Sequence, residues 1–133
     1  MRQSNDKNLD LAKEWFLRAQ DDELSAKDIL EDRQGSPNTV CFLSQQMAEK
    51  SLKGFLSFHN ERFPKIHQLD MLINLCKEID SQFEELRQEA EDLSEFYIST
   101  RYPGDYPQFS FRDAQEAFNK AIKIKSLVLG KIS

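Results

Sequence analysis

The stretch Gln45-Gln46-Met47-Ala48-Glu49-Lys50-Ser51-Leu52-Lys53 decides how this chain folds. At about 100° per residue, Gln46, Glu49, Lys50 and Lys53 share one narrow helical face, standing at i, i+3, i+4 and i+7. Val40, Leu43, Met47, Leu52, Phe55 and Leu56 occupy most of the remaining circumference. A helix apolar over so much of its surface belongs near the middle of a fold. The polar row on it must then meet solvent, a partner or a pocket, because unpaired buried charge is costly. As an exposed i,i+4 pair, Glu49 and Lys53 would add only about 0.3 kcal/mol. Flanking Phe42, Leu43 and Leu56 point instead to a semi-buried network.

Helical spacing extends outward in both directions. Apolar residues from Leu9 to about Glu31 predict a first helix, including Trp15, Phe16, Ala19, Ala26 and Leu30. Ser36-Pro37 caps and opens the second, which runs to about His59. A connector containing Pro64 leads to a short third helix from about His67 to Ile79. Asp80-Ser81 can cap a fourth helix reaching Tyr97, with an acidic outer face of Glu84, Glu85, Glu89, Glu91, Asp92 and Glu95 read as a solvated surface. Arg101 to Phe109, RYPGDYPQF, is an extended loop, since each proline disfavours helix in the residue before it. Ser110-Phe111-Arg112-Asp113 then starts a fifth helix reaching about Gly130. The expected fold is all-α: an antiparallel up-and-down bundle of four long helices plus one short helix. Residues 1–8 are read as a flexible N-terminus and residues 9–133 as a single domain.

Length and composition restrict the function. A chain of 133 residues can bury a core without disulfides or metal. The net charge of −5 argues against a general nucleic-acid coat or a membrane-surface role, while leaving room for a local basic pocket. No stretch approaches membrane-spanning length. Cys41 and Cys76 sit inside helical patterns and read as reduced, packed thiols of a cytoplasmic protein. His59 and His67 lack ligand-spaced partners, so no metal is expected. Gly35, Gly54, Gly104 and Gly130 are isolated, and neither a phosphate loop nor a dinucleotide fingerprint is present. No cofactor is expected.

The order of motifs resembles one family. An early tryptophan precedes Asp28-Ile29-Leu30. Then come Gln45-Gln46-Met47-Ala48-Glu49-Lys50-Ser51-Leu52-Lys53, His67-Gln68-Leu69 and finally Arg101-Tyr102-Pro103. This order is similar to that of the HEPN domain, the helical nucleotide-binding domain of prokaryotes and higher eukaryotes. The resemblance implies a helical bundle that usually dimerises and is often paired with a small nucleotidyltransferase in toxin–antitoxin-like systems. Many such proteins are metal-independent ribonucleases that use an arginine followed four to six residues later by a histidine. Arg101 matches the arginine, but no histidine follows it. A phenol is a poor substitute for imidazole at neutral pH.

The expectation is therefore a non-nuclease module binding a nucleotide or phosphorylated ligand, with a homodimer and a nucleotidyltransferase as partners. Lys50, Lys53 and Arg101 would meet phosphate, Glu49 would orient the lysines, His67 would line the pocket, Tyr102 or Tyr106 would stack on a base, and Gln46 joins the same ligand-binding set. The alternatives are a ribonuclease toxin with a degenerate site, or a structural partner whose polar stripe is a dimer seam.

Overall fold

The computed structural model describes residues 2–97 and 107–132 of the chain. Ser36 caps the second helix as its sequence predicts, its hydroxyl accepting from the Asn38 N–H at 3.1 Å with Pro37 in the first turn. That helix, α2, spans Pro37–Phe58. It ends in a left-handed Asn60 (φ 58°), with the Glu61 N–H donating to the Leu56 carbonyl at 2.8 Å and the Asn60 N–H to Ser57 at 3.0 Å. These two bonds are the Schellman closure.

The preceding helix α1 spans Arg2–Asp32 and begins earlier than the Leu9 expected from apolar spacing. Helices α3 (Leu69–Ile79) and α5 (Phe111–Ile132) follow the predicted segments closely. Ser110 and Asp113 cap α5 reciprocally, each backbone N–H donating to the other's side chain at 3.0 Å. Among the described residues there is no strand, and none of the helices is long and apolar enough to cross a membrane.

The fourth segment differs from the single long helix expected. It opens as a 3₁₀ helix, Ser81–Leu86, capped by the Asp80 carboxylate accepting from the Gln82 N–H, and becomes α-helical only as α4, Arg87–Ser94. Its acidic face is also more engaged than a solvated surface. Glu89 pairs with Lys123 at 2.8 Å and Asp92 with Lys120 at 3.0 Å, stitching α4 to α5. Glu84 receives Arg87 at 2.6 Å and Lys77 at 3.2 Å.

Helix α2 touches every other α-helix of the fold. Phe55, Met47, Leu52 and Leu56 on α2 are buried with Leu72 and Ile73 of α3, Leu93 of α4 and Ile124 of α5. Phe55 meets Phe83 of the 3₁₀ turn with ring centroids 4.5 Å apart.

Against α1 the contact is closer and built from small residues. Ala12, Ala19 and Ala26, one every seventh position, are the buried residues among the described side chains of α1, and Gly54 faces Phe16. A Cβ at position 54 would lie 2.3 Å from Phe16 Cε1 and 2.8 Å from two further ring atoms. The missing side chain is therefore what lets α1 sit at this distance.

Two outcomes follow for stability. Gly54→Ala should destabilise by about 1–2 kcal/mol despite its better helix propensity, because overpacking outweighs that gain. Gly130→Ala, where a Cβ meets nothing within 4 Å, should stabilise by about 0.5 kcal/mol. Urea titrations of the two variants read both signs. In acid, Arg87 and Lys77 hold the Glu84 carboxyl down to about 2 against an ordinary 4.5. Lys131 likewise lowers Asp80. Groups with depressed folded values stabilise above their ordinary pKa, so stability should fall progressively from about pH 4.5 toward pH 2, measurable by denaturant midpoints across that range.

Candidate functional site

The centre of the polar stripe is one buried carboxylate. The Glu49 side chain is only 5% exposed, and a buried ion at that depth is tolerated only when its lone pairs are filled. Three side chains reach them. Gln45 Nε2 donates to Oε1 at 3.1 Å and Lys53 Nζ to Oε2 at 2.9 Å. His67 Nδ1 lies 3.1 Å from Oε1 and 3.3 Å from Oε2.

Each side chain is fixed in turn. Gln45, fully buried, also donates from Nε2 to the His67 carbonyl at 3.0 Å and accepts from Gln46 Nε2 at 2.7 Å. One amide thus clamps both the backbone and, through Glu49, the ring of His67. The Lys53 ammonium sits 5.5 Å from the Trp15 ring centre and 5.8 Å from that of Phe63, which together cover it.

His67 stacks on Tyr97, the ring centres 4.1 Å apart and the planes 11° from parallel. Tyr97 follows α4, whose Ser94 hydroxyl accepts from the Leu69 N–H at 2.8 Å and so supplies the α3 cap that Gln68 does not. The position of His67 at the start of α3 is thereby set from α2 on one side and from the end of α4 on the other. Beside it opens a cavity of about 380 Å³ lined by Lys65, His67, Gln68, Ser94, Glu95 and Tyr97.

The eight residues singled out from sequence separate into three groups. Glu49, Lys53 and His67 meet directly, with Gln46 attached through Gln45. Lys50 leaves this group: its Nζ reaches Asp22 of α1 at 2.6 Å. Burial pushes the Asp22 carboxyl above the ordinary range, and the Lys50 bond offsets only part of that. Arg101, Tyr102 and Tyr106 lie outside the described residues.

The two stripe lysines are thus committed within the subunit, Lys53 to Glu49 and Lys50 to Asp22, rather than presented to a phosphate. Burial of Glu49 and Lys53 also removes the middle of the stripe from any dimer seam. Sequence reading passed over Gln45, although its i,i+4 spacing to Glu49 was visible. It also passed over Lys65, Trp15 as a lysine cover, and Tyr97, whose stacking on His67 no local pattern announces.

Other chemistries find little support. Burial pushes the Cys41 thiol to about 11 and raises Cys76 further, so neither is a ready nucleophile at neutral pH. Among the described residues no three His, Cys, Asp or Glu side chains are grouped to hold a metal ion. The network itself predicts a test of stability. Glu49→Ala, which strands the Lys53 ammonium in an apolar cover, should cost about 3–5 kcal/mol, while Glu49→Ala combined with Lys53→Met should recover much of that loss in thermal or urea unfolding.

The fold has counterparts among known proteins. A family model described as the HEPN domain matches residues 12–131. ST0689, an archaeal HEPN homologue, is 30% identical with a TM-score of 0.74, the alignment covering 92% of this chain and 98% of that one. TT1696 from Thermus thermophilus is also 30% identical, with a TM-score of 0.78 and coverage of 91% and 98%. No curated protein sequence matches significantly. With the family model spanning nearly the whole chain and two solved structures agreeing over it, this protein belongs to the HEPN domain family.

Proposed function

We propose that this chain is a cytoplasmic HEPN module that binds a nucleotide or another phosphorylated ligand, and that it acts beside a small nucleotidyltransferase in a toxin–antitoxin-like pair rather than as a nuclease. The observation that carries this reading is the cavity at His67. A stacked imidazole and phenol are held rigidly from beneath by a buried, fully satisfied carboxylate, and the exposed Lys65 stands at the rim. Such preorganisation is what a binding site needs and what a mere surface lacks.

Lys50 and Lys53 take a supporting part in this reading, neutralising Asp22 and Glu49. Phosphate contact passes to Lys65 and to Arg101, which follows Tyr97 closely in the chain, with Tyr102 or Tyr106 as stacking partners for a base. The absence of any histidine after Arg101 removes the usual acid–base partner of a HEPN ribonuclease.

A homodimer completes the proposal. Leu17 and Leu24 on α1 are 59% and 57% exposed, and Leu129 on α5 is 40% exposed. They border a groove of about 450 Å³ floored by Phe16 and Ala19. An apolar patch of this kind is what a second copy would cover.

Calorimetric titration of ATP, with and without magnesium, is the direct test of ligand binding. Binding at micromolar to sub-millimolar concentration is expected. Lys65→Ala and Arg101→Ala should each weaken it about tenfold, and Lys50→Ala less than about threefold. Absence of heat up to millimolar nucleotide would sink the ligand reading. For the dimer, Leu17→Glu with Leu24→Glu should halve the mass seen by light scattering, and an unchanged mass would move the seam elsewhere.

A further inference from the structure

The Glu49 network does more than hold His67 in place; it also decides where the ring carries its proton. Glu49 Oε2 accepts from the Lys53 ammonium at 2.9 Å and Oε1 from the Gln45 amide at 3.1 Å, so both carboxylate oxygens act as acceptors. The nitrogen of His67 turned toward it, Nδ1, must therefore bear the hydrogen. In the neutral ring Nε2 is then a bare acceptor. It is directed away from Glu49 on a side chain 43% exposed, and it has no hydrogen-bond partner among the described residues. Stacking on Tyr97 restrains the flip about Cβ–Cγ that would turn Cδ2 toward Glu49 in place of Nδ1.

From this we infer that His67 recognises a hydrogen-bond donor on the ligand, a hydroxyl or amino hydrogen of a nucleoside, and not its phosphate. An anionic phosphate oxygen set against the Nε2 lone pair is repelled unless the ring first takes up a proton. The surroundings agree. Lys65, the cationic side chain on the lining of the same cavity, offers the place where phosphate fits. The nucleoside end therefore lies over His67 and the phosphate end toward Lys65. This inference rests on the reading of the cavity as a nucleotide site, and it adds the orientation and the atoms recognised.

Two measurements test it. Long-range proton–nitrogen correlation spectra of the labelled protein should show His67 as the Nδ1–H tautomer, and the Nε2–H tautomer would overturn the inference whatever the protein binds. Calorimetry at pH 7.5 with adenosine, AMP, ATP and inorganic phosphate, repeated in buffers of different ionisation heat, gives affinity and proton uptake together. Adenosine and AMP should bind without proton uptake, and His67→Phe, which keeps a stacking ring and removes Nε2, should weaken both about tenfold. Binding of inorganic phosphate should be unchanged in that variant. Uptake of about one proton per ligand, with inorganic phosphate binding lost in His67→Phe, would overturn the orientation while leaving the nucleotide site standing. No heat from any of the four would overturn the site and the inference together.

Discussion

A single buried carboxylate organises one side of this molecule. Placing Glu49 among apolar neighbours is unfavourable in isolation, and the structure tolerates it because an amide and an ammonium donate to it and an imidazole nitrogen lies 3.1 Å away. Those groups do not come from one element. Gln45 and Lys53 belong to α2, His67 to the connector before α3, and the cover over Lys53 brings Trp15 from α1 and Phe63 from the same connector. Satisfying one charge therefore fixes the relative placement of three segments, and the stack of His67 on Tyr97 adds the end of α4.

The same requirement redistributes the charges of the central helix. A lysine row on a helix suggests an anion site, yet a lysine beside a buried carboxylate is first a counter-ion. Lys53 neutralises Glu49, and further round the helix Lys50 neutralises Asp22. The stripe thus forms a neutral foundation, and Lys65, His67 and Tyr97 line the cavity beside it. This division is why the proposed site is read at the mouth of the connector and not on α2 itself.

Much of the fold was legible in the residues because it depends on local rules. Ser36-Pro37, Ser110 with Asp113, and Asp80 each satisfy backbone groups within three residues, so the helix starts they mark can be read directly. The 3₁₀ opening at Ser81–Leu86 was not legible, since the apolar spacing of Phe83 and Leu86 fits either kind of helix. Nor was the meaning of Gly54. An isolated glycine in a helical pattern looks like a weak point, and only the ring of Phe16 across the interface shows that it is a contact.

For the candidate site the boundary runs through the stripe. Helical periodicity belongs to the chain itself, so the order of residues is enough to put a polar row on a buried helix with Glu49 and Lys53 one turn apart. The family resemblance read from the same residues agrees with the family to which the chain belongs. Which partner each charge takes is a matter of packing. Asp22 lies twenty-eight positions before Lys50, and His67 eighteen after Glu49. No local rule reaches across such separations; they close only when the helices meet, and the same meeting selects which nitrogen of His67 is left facing out.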